Sequence, residues 1–93
     1  MSIVSFACLE TKALFEGGGV ARFVNISAVA ERKLQQLDSA ASLGFLRSPP
    51  GNRLEKLSGN RTGQYSIRVN EQWRICFIWT EEGPARVEIV DYH

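Results

Sequence analysis

The most regular feature of the chain is an alternation of apolar and polar residues through its last third. Three runs, residues 64–69, 73–79 and 85–90, follow this period of two, and Gly83-Pro84 separates the last two runs. Because successive side chains of a strand point to opposite faces of a sheet, the runs predict a three-stranded antiparallel meander. Its inward face would carry the apolar residues Tyr65, Ile67, Val69, Trp73, Ile75, Phe77, Trp79, Val87 and Ile89.

The register of this meander follows from matching the apolar faces, since a slip of one residue would turn every side chain over. A three-residue loop over residues 70–72, an allowed hairpin length, brings the first two runs into match. The pairs predicted in the first hairpin are Val69–Trp73, Arg68–Arg74, Ile67–Ile75 and Tyr65–Phe77. The pairs predicted in the second hairpin are Arg74–Val90, Ile75–Ile89 and Phe77–Val87.

This register gathers Arg68, Arg74 and Tyr92 on the face of the sheet that points away from the helices. Two directly opposed arginines repel each other, so a purely structural role explains them poorly and an anionic ligand explains them better. A tyrosine beside them offers a surface on which a base can stack. The face is therefore a candidate nucleic-acid site.

The first half of the chain contains helical periodicity instead. Spacings of three and four residues predict a helix that begins near Ile26, with Asn25 or Ser27 as its cap. A second helical stretch is predicted over Ala40–Leu46, and residues 48–52 then open a long loop. The stripe that the first of these helices would bury consists of Ile26, Val29, Ala30, Leu34 and Leu37.

The extreme N-terminal region gives weaker signals. Residues 3–8 read as a short first strand, and Gly17–Gly19 reads as a flexible turn that breaks any helix. The glycine run lacks the lysine and hydroxyl residue that a phosphate-binding loop requires.

Composition places the chain among ordinary globular domains. Its 93 residues, 44% hydrophobic and 23% charged, predict one domain over residues 1–93 and exclude a multi-domain enzyme. A membrane span and a secretory signal are not expected. With two separated cysteines, Cys8 and Cys76, and a single histidine, we expect no metal site and a cytoplasmic protein with reduced thiols.

The net charge of +1 conceals an uneven distribution. Residues 47–74 carry six basic residues against two acidic ones, whereas residues 75–93 have a net charge of −3. Most of the basic residues are arginines, which suit bidentate phosphate contacts and stacking on bases. The competing interpretation is that these arginines are merely solvated surface residues.

The block Ser66-Ile67-Arg68-Val69-Asn70, followed by Trp73-Arg74-Ile75 and by the terminal Asp91-Tyr92-His93, is a specific combination. With Arg53–Leu57 and Gly59–Arg61 before it, this block resembles the HigB-type toxins of bacterial toxin–antitoxin modules, within the RelE/ParE superfamily. The resemblance covers nearly the whole chain. It implies an α+β, microbial-RNase-like fold in which two N-terminal helices pack on a curved antiparallel sheet.

The resemblance also implies an activity and a set of partners. It implies an endoribonuclease that cuts mRNA in the decoding site of the 70S ribosome, with no cofactor and no metal. It implies neutralisation by a HigA-type helix-turn-helix antitoxin, with operator DNA bound only through the complex of the two proteins.

The resemblance implies catalytic residues in the loop before the sheet, within the sheet and at the C-terminal end of the sequence. Arg74 would stabilise the phosphate, Tyr92 would stack on or orient a base, and His93 could act as acid or base. Glu55 stands where relatives carry a histidine and could be the general base, although a solvated acid paired with Lys56 or Arg53 is the alternative. Many relatives carry a lysine where this chain has Ser58, and Lys56, two residues earlier, is the candidate to substitute for it. The RNA-binding candidates are Arg53, Arg61, Arg68 and Asp91.

Two rival functions are compatible with the same resemblance. One is a ParE-like inhibitor of DNA gyrase, which shares the fold and needs no catalytic residues. The other is a catalytically weak toxin that acts mainly through its antitoxin and operator. If Arg74 is a surface arginine, Arg74→Ala should abolish toxicity without affecting folding.

Overall fold

A computed structural model describes residues 2–49 and 51–91 of the chain. Two α-helices, α1 (Leu9–Phe15) and α2 (Ser27–Ser39), precede an antiparallel sheet, as the α+β prediction required. Short 3-10 turns span Ala21–Phe23, Leu43–Arg47 and Gly59–Arg61. The four strands, which are neighbours in the sheet in the same order as in the sequence, are β1 (Glu55–Lys56), β2 (Tyr65–Arg68), β3 (Trp73–Thr80) and β4 (Gly83–Asp91).

The core lies between the helices and the inward face of the sheet. The helices contribute Leu14 from α1 and Ala30, Leu34 and Leu37 from α2, all of them buried. The buried residues that they meet come from β2, β3 and β4: Ile67, Ile75, Phe77, Val87 and Ile89. The stripe predicted for α2 therefore does face the core, and burial of this apolar surface is the main force that holds helices and sheet together.

The predicted register is confirmed through the first hairpin and half of the second. Arg68 pairs with Arg74 and Ile67 with Ile75, and across the next ladder Ile75 pairs with Ile89. Beyond that point the β3–β4 ladder shifts between Cys76 and Ile78. The predicted Phe77–Val87 pair is therefore wrong.

The cause of the shift is an irregularity in β4. Arg86 has a left-handed backbone with φ of 52°, a conformation typical of a bulge that adds one residue to a strand. The bulge turns the backbone of Val87 toward the N-terminal segment, where its N–H donates to Ser5 O at 3.1 Å and its carbonyl accepts from Ala7 N at 3.0 Å.

The N-terminal predictions need correction. Residues 3–8 form only an isolated parallel bridge, between Phe6 and Val87, rather than a strand. Residues 9–15, for which the sequence pattern predicts no element, form α1, and Gly17 with φ of 92° follows its end. The glycines terminate this short helix and do not prevent it.

The helices also begin and end at other residues than predicted. The N-cap of α2 is Ile26, and neither Asn25 nor Ser27 caps the helix through a side chain. The stretch predicted as a second helix, Ala40–Leu46, is instead a 3-10 turn over Leu43–Arg47, whose Ser42 side chain accepts from Phe45 N. Within the described ranges, no helix is long and apolar enough to cross a membrane.

Candidate active site

Arg74 lies near the start of β3 on the outer face of the sheet, opposite the helices. It is only 7% exposed. Its Nε donates to Ser66 Oγ at 2.8 Å, its Nη2 donates to Arg53 O at 2.8 Å, and its Nη1 lies 3.5 Å from Glu55 Oε1. The expectation of a surface arginine without a structural role is therefore wrong.

Arg74 is buried because the segment that precedes β2 covers part of the outer face. This segment adds β1 to the edge of the sheet, where Glu55 pairs with Ser66. Farther along, the Arg61 guanidinium reaches Glu88 of β4 at 2.9 Å. Because β2 and β3 lie between β1 and β4, that contact requires the Arg61 side chain to extend over the outer face of the sheet. The predicted long loop is thus a cover over the outer face.

Three arginines surround a surface pocket of about 330 Å³ at one end of this cover. Arg53, Arg68 and Arg74 line it together with Asn70 and Glu71. Among the residues that the structure describes, neither Arg53 nor Arg68 forms an ion pair. Their donors are therefore available to an anion, and guanidinium groups in such an array suit a phosphate.

Glu55 stands beside this pocket on the edge strand. Its side chain is 52% exposed, and its carboxylate contacts the guanidinium of Arg74 rather than Lys56 or Arg53. The alternative prediction, an ion pair between Glu55 and Lys56 or Arg53, is therefore wrong, because the partner of Glu55 is Arg74. A carboxylate open to solvent and next to a phosphate-binding cation can accept a proton from a substrate hydroxyl.

Lys56 and Arg61 are not brought to the arginine pocket. Lys56 pairs with Tyr65 in the ladder, so strand alternation turns it away from the face on which Glu55 and Arg74 meet. Arg61 is engaged by Glu88 and by Gln64 Oε1, the latter at 3.1 Å. Both residues line, together with Glu55, a separate depression of about 260 Å³ along the cover.

Cys76 lies under the cover between these two regions. Burial raises the pKa of its thiol, Arg61 opposes that rise, Glu88 adds to it, and Arg74 opposes it. A buried protonated thiol of this kind behaves as a small apolar side chain.

The C-terminal candidates are only partly described. Asp91 ends β4 opposite Trp73, and its Oδ2 accepts from Gln72 Nε2 at 3.1 Å across the hairpin end. Tyr92 and His93 lie outside the described residues. Asp91 lies one residue beyond Val90, which pairs with Arg74, so the end of β4 lies beside the strand that carries this arginine.

Two residues that orient the site were missed by the sequence analysis. Ser66 is fully buried and accepts the Nε donor of Arg74, and its place on the outer face was available from the predicted register. Asn52 is also fully buried and is hydrogen-bonded to α2, but no local pattern marks it. Within residues 2–49 and 51–91, no group of three or more His, Cys, Asp or Glu side chains could hold a metal ion.

Comparison with known proteins gives a consistent family. Residues 10–93 match the family model described as the RelE-like toxin of the type II toxin–antitoxin system HigB. Toxin HigB-1 of Vibrio cholerae serotype O1 is 50% identical over 62 residues, which cover 67% of this chain and 64% of that protein. Endoribonuclease HigB of Proteus vulgaris is 32% identical over 93 residues, covering 98% of this chain and 99% of that one.

A third relative is named only as an uncharacterized protein of Haemophilus influenzae. It is 42% identical over 53 residues, which cover 57% of this chain and 52% of the relative. The matched region thus spans between about half and two thirds of the Haemophilus and Vibrio proteins.

Proposed function

The chain belongs to the HigB-like family of RelE-like toxins of type II toxin–antitoxin systems, and from this premise we propose that it is an endoribonuclease. The observation that carries the proposal is the pocket lined by Arg53, Arg68 and Arg74, with the Glu55 carboxylate 3.5 Å from Arg74. The name of the Proteus vulgaris relative, an endoribonuclease, supports the same activity.

The reaction needs no group other than side chains. The ribose 2′-oxygen attacks the adjacent phosphorus, and the bond from phosphorus to the leaving 5′-oxygen breaks. Glu55 takes the proton from the 2′-hydroxyl, because its carboxylate is the one that reaches the guanidinium of Arg74. Arg74 stabilises the charge that develops on the phosphate oxygens, and its fixed orientation favours the transition state without further ordering.

The remaining roles are assigned to the residues predicted from the sequence. Arg53 and Arg68 hold the flanking phosphates, and Asp91, Lys56 and Arg61 contact the RNA at the borders of the site. Tyr92 orients the base, and His93 donates the proton to the leaving oxygen. Loss of that proton donor would slow leaving-group departure more than RNA binding.

The proposed substrate is mRNA on the ribosome in the cytoplasm. The arginine pocket is a shallow surface feature, and the whole chain has a net charge of only +1. The affinity of the protein for free RNA would therefore be weak. A translated message held in the ribosome supplies the binding energy and the orientation that the pocket alone lacks. A helix-turn-helix antitoxin that neutralises the toxin and binds operator DNA completes the proposal.

The test is primer extension on a reporter mRNA in a reconstituted translation reaction, with and without ribosomes. Cuts that appear only on translated message are the expected result. Arg74→Lys should remove them, whereas Arg47→Ala, which deletes a charge at an exposed position of the basic segment, should not. Growth arrest without any cut would refute the nuclease and point to gyrase or another target.

A further inference from the structure

Asn52 connects α2 to the arginine pocket through a side chain that is completely buried. Its Oδ1 accepts a hydrogen bond from Lys33 Nζ of α2. Its Nδ2 donates to Leu46 O at 3.1 Å and to Gln36 Oε1 at 3.3 Å. All the hydrogen-bonding groups of this amide are therefore in use, as buried amides require.

The main chain at Asn52 reaches the site directly. Its carbonyl accepts the backbone N–H of Arg68 at 2.6 Å, and its own N–H donates to Pro49 O at 3.0 Å. The next residue, Arg53, has a left-handed backbone with φ of 45°, and its carbonyl is the one that accepts Nη2 of Arg74. A left-handed arginine is strained and persists only where its surroundings fix it.

We propose that Asn52, oriented by Lys33, is a positioning residue that fixes the Arg53 carbonyl and thereby aims the Arg74 guanidinium at the scissile phosphate. The assignment of Arg74 as the phosphate-binding group rests on the proposed nuclease function. The positioning of its guanidinium by residues 52 and 53 is a property of the fold and can be measured without any RNA.

Lys33 fixes which way the Asn52 amide points. A lysine ammonium can only donate, so the atom it contacts must be the amide oxygen, and the amide nitrogen then faces Leu46 and Gln36. Lys33 is half-buried and forms no ion pair among the described residues. Desolvation lowers the pKa of Lys33, and the charges of Arg32 and Arg68 lower it further. These effects disfavour the charged ammonium, and its hydrogen bond to Asn52 Oδ1 compensates for part of that cost.

The first measurement is the NMR signal of the Arg74 Nε–H group, which donates to the buried Ser66 hydroxyl and so should exchange slowly with water. The signal is assigned by its disappearance in Arg74→Lys. In Asn52→Ala we expect this Nε–H to shift and to exchange about tenfold faster or more, because local opening sets such rates. Lys33→Met should move the same signal in the same direction, and Lys33→Arg should restore it.

The second measurement is the cleavage kinetics of the same variants on translated mRNA. Asn52→Ala and Lys33→Met should lower kcat about tenfold or more while KM changes little, as expected for an interaction realised in the transition state. Arg32→Met is the control, because it removes a cation from an exposed position of α2 that is not hydrogen-bonded to Asn52. It should leave both the signal and kcat unchanged.

The outcomes separate the two ideas. An Arg74 signal unchanged in both Lys33→Met and Asn52→Ala would overturn the positioning role, whatever happens to stability. If Asn52→Ala fails to fold, Lys33→Met at its half-buried position decides the matter alone. If the Arg74 signal responds as expected in the variants but the wild-type protein cuts no RNA, the nuclease function is refuted and the positioning role is kept.

Discussion

The guanidinium of Arg74 donates a hydrogen bond of 2.8 Å to the main-chain carbonyl of Arg53, 21 residues earlier in the chain. This bond ties the cover over the outer face to the central strand of the sheet. It also sets the orientation of Arg74, because the carbonyl and the Ser66 hydroxyl fix two of its nitrogens. The same side chain therefore contributes to the fold and to the pocket.

We predict that Arg74→Ala will be less stable as well as inactive. Removing the guanidinium leaves Ser66 Oγ and the Arg53 carbonyl without this donor, and an unsatisfied buried polar group costs about 1–3 kcal/mol. Urea unfolding should show that loss of free energy, and Arg68→Ala, at a half-buried position opposite, should show a smaller one. Equal stability of Arg74→Ala and the wild type would contradict the buried geometry.

Arg53 permits a prediction that separates its backbone from its side chain. Arg53→Ala and Arg53→Gly both remove a guanidinium from the pocket, but only glycine adopts φ of 45° without strain. We expect Arg53→Gly to be about 1 kcal/mol more stable than Arg53→Ala, the usual cost of a left-handed non-glycine residue. Thermal unfolding of the pair tests this, and both variants should bind RNA equally weakly.

Glu55 is the residue on which the proposed mechanism depends most. We predict that Glu55→Gln will lower kcat about 10²- to 10⁴-fold, the range for loss of a general base. The measurement is single-turnover cleavage on ribosome-bound message. Glu71→Gln is the matched control, since Glu71 lines the arginine pocket and forms no ion pair with Arg74. A Glu55→Gln enzyme at full rate would exclude this base.

Much of the sheet was predictable because strand alternation and register are local properties. The pairing of Arg68 with Arg74 followed from matching apolar faces across one three-residue loop. The bulge at Arg86 was not predictable, since it accompanies hydrogen bonds between Val87 and the distant residues Ser5 and Ala7. The helix α1 was missed because its seven residues form no amphipathic pattern of useful length.

The candidate site was predictable in its charges and not in its geometry. Register alone brought Arg68 and Arg74 together. The contacts that bury Arg74 come from Arg53 and Glu55, in a segment whose prolines and glycines predicted a long open loop. Long-range hydrogen bonds of this kind leave no periodic signal, so the role of Asn52 could only be found in three dimensions.

The Arg61–Glu88 ion pair predicts a change in RNA affinity with a defined sign. Because Glu88 is a carboxylate on the outer face, Glu88→Gln should remove one negative charge and the ion pair of Arg61, which keeps its hydrogen bond to Gln64. We expect tighter RNA binding and a steeper dependence on salt, by about one phosphate contact. Fluorescence anisotropy at several salt concentrations measures both. Weaker binding in Glu88→Gln would mean that the pair holds the cover in place for RNA.

Cys76 gives a pH-dependent prediction for stability. Burial raises the pKa of its thiol above the ordinary value of 9.0, so in the alkaline range above that value the unfolded chain loses this proton while the folded chain keeps it. The folded state then binds more protons than the unfolded state, and the free energy of unfolding falls as pH rises. Lys33 has the opposite sign below its ordinary value of 10.5, since its pKa is lowered on folding.

Comparing the wild type with Cys76→Ala separates the thiol from Lys33, because the Lys33 contribution is common to both proteins. Urea unfolding from pH 8 to pH 10.5 should show a steeper loss of stability in the wild type, within the range that a single titrating group can give, about 1.4 kcal/mol per pH unit at most. In the native state at pH 8, a thiol reagent should modify the half-buried Cys8 and leave the fully buried Cys76 unmodified until denaturant is added. Rapid modification of Cys76 in the native protein would mean that the cover formed by residues 53–61 opens readily, and the arginine pocket at its edge would open with it.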